Sequence, residues 1–286
     1  MEIKKVGVVG IGTMGHGITQ ISAAAGYDVT VVDATDALLA SGMDKISKSL
    51  DRGVKKGTMT EAQKATIVGR IKTSTKMEAL ADCDLVVEAV FENLDLKKQV
   101  FIQLDKICRK PEVILGTNTS CLSIIDLAMM TKKPDRVLGL HFFVPPQVMA
   151  LLEIVKTIST RDDIVEVCKK WGTSLGKTCV IAKDTPGFIV NALMNPYLLD
   201  AIRMYEAGIA SREDIDTAIK LGLNYPMGPL TLTDFAGVDI VKFVADSMYA
   251  QTKQEKWIAP VLLQKMVAAG WLGQKTGKGF YDYTKK

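Results

Sequence analysis

Histidine is nearly absent: 286 residues contain only His16 and His141. Cysteine is sparse too, and Cys83, Cys108, Cys121, Cys168 and Cys179 form no CxxC pair and are odd in number. With so few ligand-type residues no zinc-site spacing exists, so no metal is expected. Reduced thiols in a cytoplasmic protein are the simplest reading of such cysteine usage. No apolar run approaches the roughly 20 residues of a bilayer span. The opening "MEIKKVGVVG" lacks a signal-peptide pattern, so no membrane partner is expected. Nor does one sign of charge dominate. A net charge of +4 calls for no nucleic-acid partner, but it assists the approach of an anionic small molecule.

What is present is an alternation. Short β-branched runs, "KKVGVVG", "YDVTVVD", "CDLVVEAV", "EVILGTNTS", "RVLGLHFF" and "LLEIVKT", are separated in several places by helical patterns such as 18–25 and 94–107. Continuous apolar strands between amphipathic helices predict an α/β fold, a largely parallel sheet covered on both faces. From about Asp36 to Ile71 there is no convincing strand. Two helices are expected there, joined at Gly57-Thr58-Met59-Thr60, with Thr60 as a cap for the second. This inserted hairpin carries Lys45, Lys48, Arg52, Lys55, Lys56, Lys64 and Arg70. It is either a solvated face or a landing surface for a phosphate-bearing ligand. After "VIAKDTPGFIVN" the patterns turn helical, over 188–207, 213–221, 233–249 and 259–269. The boundary is therefore expected near Pro186, with a dinucleotide-binding domain over 1–185 and an all-helical substrate and dimerisation domain over 186–286.

"VGVVGIGTMGHGI" contains Gly10-Ile11-Gly12-Thr13-Met14-Gly15. GxGxxG alone is a weak signal, but here it follows a strand and opens a helix, as dinucleotide binding requires. Gly10 allows the tight turn, Gly12 the approach of a pyrophosphate, and Gly15 close helix–strand packing. Asp33 follows the second strand, 23 residues after Gly10. A carboxylate there accepts hydrogen bonds from ribose hydroxyls and repels a 2′-phosphate, which favours NAD over NADP. His16, in the first helical turn, reads as solvent-facing or pyrophosphate-adjacent rather than catalytic.

Polar groups also gather at strand ends: Glu88 and Glu92 in "VVEAVFEN", Asn118, Thr119 and Ser120 in "LGTNTSCLSI", and His141 in "LGLHFF". In an open parallel sheet such ends line the ligand crevice. Glu153 stands alone among aliphatic residues in "LLEIV", and a buried carboxylate needs a partner. His141 needs an acid to hold its tautomer if it is to move a proton. The two are expected to form a dyad, the alternative for His141 being a satisfied core histidine. Ser120 and Asn191 are the candidates to hold a substrate oxygen.

These stretches, with "DLVVEAVFENLDLKKQVF", "NTSCLSI", "HFFVPPQVMALLEIV", "DTPGFIVN", "YPMGPLTLTDFAGVD" and "GWLGQKTGKGFYDY", resemble the L-3-hydroxyacyl-CoA dehydrogenase family, in particular its short bacterial members acting on 3-hydroxybutyryl-CoA. The resemblance runs from end to end in family order. It implies a Rossmann domain, a helical domain carrying a homodimer interface, and NAD-linked interconversion of a 3-hydroxyacyl-CoA with its 3-ketoacyl-CoA. It further implies His141 as general acid/base, Glu153 as its partner, and Ser120 and Asn191 as active-site polar residues. Glu92, Lys97, Ser120 and Lys275 would be cofactor contacts beside Gly10 to Gly15 and Asp33. Ser49, Lys56 and Ser120 would meet the acyl-CoA substrate. The chain departs from the family at Val144, where asparagine is usual, at Ala192, where arginine is usual, and at Cys121 and Asn195. Two other readings stay open: a dehydrogenase of a free 3-hydroxyacid or sugar acid, and a dinucleotide-binding protein without turnover.

Overall fold

The computed structural model describes residues 1–284. The chain divides into two compact units, Met1–Thr185 and Pro186–Lys286. The first unit runs β1 (Lys5–Val9), α1 (Gly15–Ala24), β2 (Asp28–Val32), α2 (Asp36–Lys55), α3 (Glu61–Gly69), β3 (Ile71–Ser74), β4 (Leu85–Glu88), α4 (Leu94–Ile107), β5 (Ile114–Thr117), α5 (Ile124–Ala128), β6 (Val137–Phe142), β7 (Leu151–Lys156), α6 (Asp162–Ser174) and β8 (Thr178–Lys183). The second is helical: α7 (Val190–Glu206), α8 (Arg212–Gly222), α9 (Pro229–Ala236), α10 (Val238–Thr252) and α11 (Val261–Ala268).

The eight strands form one sheet in the order β3-β2-β1-β4-β5-β6-β7-β8. The first six are mutually parallel, and strand order reverses between β1 and β4. That switch point is where an open α/β sheet offers a crevice beyond its carboxyl ends. β7 then turns back antiparallel to β6, and β8 runs parallel to β7.

Side chains alternate across the strands. Val6, Val8, Val29, Val31, Leu85, Val87, Leu138, Leu140, Leu152 and Ile154 join one buried cluster with Ile18 of α1, Leu39, Ile46 and Leu50 of α2, and Trp171 of α6. The residues between them face the other way. There α5 comes so close that a Cβ on Gly139 would stand 2.5 Å from Ile124 Cδ1. The near-continuous apolar strands are thus explained by burial on both faces.

The inserted hairpin forms as two helices, and Thr60 caps the second in a full capping box with Gln63. Four elements escaped the sequence pattern, the five-residue helix α5 among them. β3 is an edge strand of four residues with a single aliphatic side chain, Ile71. β8 lies at the opposite edge and is mostly not fully buried. α6 is amphipathic, and the spacing of Ile164, Val165, Cys168 and Trp171 on its buried side was the available signal. One expectation is corrected: the helix expected over 233–249 is two helices, because Gly237 at φ +104° breaks the run between α9 and α10.

Leu140 lies on a central strand with 0% exposure and packs over Gly116, whose added Cβ would meet Leu140 Cδ1 at 2.5 Å. Leu140→Ala is therefore expected to destabilise the first unit by roughly 2–5 kcal/mol, read as a lowered denaturant midpoint for its unfolding. An unchanged midpoint would contradict the packing described.

Candidate functional site

β1 delivers the chain into the glycine turn. Gly10 adopts φ +92°, and a Cβ there would stand 2.8 Å from the Ala89 carbonyl oxygen just beyond β4. Gly15 is more constrained, since its Cβ would lie 1.7 Å from the Gly10 carbonyl oxygen. At Gly12 a Cβ would meet nothing within 4 Å, so the backbone presents an open face there. Thr13 is exposed, Ile11 is buried, and Met14 makes no side-chain cap at the start of α1, whose first turn holds no acid. An open glycine beside an uncapped helix N-terminus fits a pyrophosphate. Asp33 lies just past β2. Its Oδ2 accepts the Ile11 N–H at 2.8 Å and its Oδ1 the Ala34 N–H at 2.7 Å. A carboxylate has about four lone-pair sites, so acceptors remain for ribose hydroxyls.

The reversal of β7 builds the second part of the site. In its antiparallel pairing with β6, Glu153 is directly opposite His141. Directly opposed residues project from the same face, here the face of α5. His141 Nδ1–H donates to Glu153 Oε2 at 2.7 Å, with the imidazole almost fully buried and Glu153 at 0% exposure. An ionised carboxylate can only accept, so the neutral ring carries its proton on Nδ1 and presents Nε2 outward. Nε2 lies 3.1 Å from Ser120 Oγ and can accept its hydroxyl proton. The Phe143 ring packs against the imidazole, centroids 4.6 Å apart.

Ser120 sits in the loop between β5 and α5. Glu92 Oε1 accepts the Ser120 N–H at 2.8 Å and the Thr119 hydroxyl at 2.5 Å. Glu92 is joined at 3.2 Å by Lys97, a buried residue of α4. Asn118 Oδ1 accepts the Phe142 N–H at 3.0 Å, which ties the serine loop to the histidine strand. Asp184 accepts the N–H groups of Ile124 and Ile125 at 3.2 and 2.8 Å and so caps α5 from sixty residues away. Burial raises the Asp184 carboxyl above its ordinary range, opposed by those two N–H donors.

Thus His141, Glu153, Ser120, Glu92 and Lys97 come together in the first unit, as do Gly10 to Gly15 and Asp33. Ser49 and Lys56 are seven residues apart at the end of α2, close to two full turns and therefore on one face. Val144 is 61% exposed on the loop between β6 and β7. That loop packs on α1, where a Cβ on Gly17 would meet Pro146 at 2.9 Å. Asn191 and Lys275 belong to the second unit. Asn191 lies in the first turn of α7, and Lys275 pairs with Asp239 at 2.6 Å.

Sequence reasoning placed Glu88 only among the crevice-lining polar groups and gave no role to Thr117 or Asp184. The strand-final position of Glu88 in "LVVE" was the available signal, since an acid amid buried aliphatics demands partners. Burial pushes the Cys83 thiol up to about 12 and the Cys108 thiol up to about 11, so neither is a thiolate at neutral pH. Among the described residues no group of three or more His, Cys, Asp or Glu is placed to hold a metal ion. No helix among them is long and apolar enough to cross a membrane.

Residues 5–185 match the model of the 3-hydroxyacyl-CoA dehydrogenase NAD-binding domain, and residues 187–283 that of the 3-hydroxyacyl-CoA dehydrogenase C-terminal domain. A 3-hydroxybutyryl-CoA dehydrogenase of Mycobacterium tuberculosis is 45% identical over 282 residues, covering 98% of this chain and 99% of that one. A 3-hydroxybutyryl-CoA dehydrogenase of Clostridioides difficile is 41% identical, covering 98% and 100%. Among solved structures, the (S)-3-hydroxybutyryl-CoA dehydrogenase of Ralstonia eutropha superposes with a TM-score of 0.96 at 42% identity, over 99% of this chain and 100% of that one. With both domain models matched in order along nearly the whole chain, this protein belongs to the 3-hydroxyacyl-CoA dehydrogenase family of NAD-dependent oxidoreductases.

Proposed function

We propose that the protein is a 3-hydroxybutyryl-CoA dehydrogenase, interconverting acetoacetyl-CoA and 3-hydroxybutyryl-CoA with NAD(H). The observation that supports this most is the buried His141–Glu153 pair with Ser120 at the outer ring nitrogen. The relatives named above carry this activity in their names and align over nearly the full chain.

When bound, the dinucleotide supplies or accepts the hydride at C3 of the acyl group. The chain's own residues manage the accompanying proton. In the reducing direction His141, as imidazolium, gives its Nε2 proton to the C3 oxygen. Throughout, Nδ1–H stays donated to Glu153, whose charge stabilises the imidazolium and holds the ring's orientation. In the oxidising direction the neutral ring takes the proton at Nε2. Ser120 and Asn191 orient the substrate oxygens. Gly10 to Gly15, Asp33, Glu92 and Lys275 hold the dinucleotide, and Ser49 on α2 and Lys56 just past its end meet the coenzyme A portion. The proposal extends to a cytoplasmic homodimer joined through the second unit, where Leu221, Leu223 and Phe235 are exposed.

The direct test follows NADH oxidation with acetoacetyl-CoA, beside free acetoacetate and beside NADPH. Rapid turnover only with acetoacetyl-CoA and NADH is expected. Comparable turnover of free acetoacetate would instead make the enzyme a free-hydroxyacid dehydrogenase with an idle α2 hairpin. A preference for NADPH would overturn the role of Asp33. His141→Gln should lower turnover about 10²–10⁴-fold while NADH affinity, from fluorescence titration, changes less than about twofold. Near-wild-type turnover would sink the acid/base assignment. Lys56→Glu reverses a charge at the proposed coenzyme A face. It should raise the KM for acetoacetyl-CoA roughly tenfold with little change in kcat, most visibly at low salt; an unaltered KM would remove Lys56 from the substrate site.

A further inference from the structure

Lysine is almost never fully buried unless paired, yet Lys97 is 1% exposed. An ammonium has three protons to donate, and three acceptors surround this one. Glu88 Oε1 lies at 2.7 Å, Glu92 Oε2 at 3.2 Å and the Val90 carbonyl oxygen at 3.4 Å. Glu88 has 0% exposure. Its Oε1 also accepts the Val90 N–H at 2.7 Å, and its Oε2 accepts the Thr117 hydroxyl at 2.7 Å. Glu92 continues the chain of bonds to the Thr119 hydroxyl and to the N–H groups of Ser120 and Cys121, the last at 3.4 Å. A continuous path, hydrogen bonds throughout except for the Lys97–Glu92 ion pair, therefore runs from β4 and α4 to the residue whose hydroxyl faces His141.

Burying the Glu88 carboxylate and the Lys97 ammonium, with the Glu92 carboxylate half-buried beside them, is costly unless geometry and hydrogen bonding are nearly complete. Removing one member leaves a buried charge without compensation, so the cluster tolerates one arrangement and imposes it on the loop attached to it. We infer that Glu88, Lys97 and Glu92 form a relay of positioning residues that sets the Ser120 hydroxyl against the His141 imidazole. The inference rests on the dehydrogenase reading above and adds to it. Glu88 becomes functional without touching substrate, and Lys97 acts through the serine loop.

A double-mutant cycle in the full chain tests this. Glu88→Gln, Lys97→Met and Ser120→Ala are made singly, and each of the first two is combined with Ser120→Ala. Glu88→Gln should lower kcat with acetoacetyl-CoA about tenfold or more at saturating NADH, with NADH affinity within about twofold of the parent. In the Ser120→Ala background that loss should shrink to about twofold, since residues acting through one group are non-additive. A loss that persists undiminished there would reduce the relay to general scaffolding and overturn it. Weakened NADH affinity in Lys97→Met, with kcat retained at saturation, would restore Lys97 as a cofactor contact and overturn it equally. Should Lys97→Met fail to fold, the Glu88→Gln arm decides, because glutamine keeps the shape and most of the hydrogen bonding. A second readout is independent of turnover: the Nε2 chemical shift of His141 should move in Glu88→Gln in the same sense as in Ser120→Ala. An unmoved shift refutes the relay, whereas a parent enzyme inert toward acetoacetyl-CoA refutes the substrate assignment.

Discussion

The site depends on one reversal of chain direction. Six strands run parallel and place their carboxyl ends, with their polar residues, around a common crevice. Because β7 instead returns antiparallel, the ladder register itself puts Glu153 opposite His141. The carboxylate–imidazole bond follows from backbone hydrogen bonding before any side chain chooses a rotamer. Two groups that are expensive to bury thereby satisfy each other inside an apolar layer, and one ring nitrogen is left to face outward.

The rest of the site is arranged around that nitrogen by similar means. Polar side chains reach across the sequence, and each fixes a segment by accepting its backbone N–H groups. Glu92 holds the Ser120 backbone, Asn118 ties that loop to β6, and Asp184 sets the start of α5. The glycine turn is joined to the same region through the close approach of Gly10 to Ala89. The dinucleotide loop and the proton-transfer residues therefore share one framework at the switch point of the sheet.

Much of this was legible in the sequence, for identifiable reasons. The glycine turn, its strand and Asp33 are local, separated by fixed spacings. The basic hairpin announced itself through helical periodicity and the Thr60 cap. The His141–Glu153 pair could be foreseen because a lone acid in an aliphatic run requires a partner, although the antiparallel turn that delivers it could not. What stayed hidden was non-local or weakly patterned. β3 and β8 lie at the sheet edges, where burial writes little into the sequence. The break at Gly237 depends on a backbone conformation that helical periodicity does not reveal. Glu88 and Lys97, nine residues apart across a strand–helix turn, read separately, as a polar strand end at the crevice and, by resemblance, a cofactor contact. Only the fold shows them buried together.

The central claim is that Glu153 fixes the protonation geometry of His141. With only two histidines in the chain, the imidazole nitrogens can be observed directly by nitrogen NMR, His16 being separated by its own substitution. The account predicts that the neutral His141 ring in the resting protein carries its proton on Nδ1, with Nε2 unprotonated, and that Glu153→Gln weakens this preference. A neutral ring protonated on Nε2 would contradict it, because the nitrogen facing Ser120 would then have no lone pair with which to take a proton.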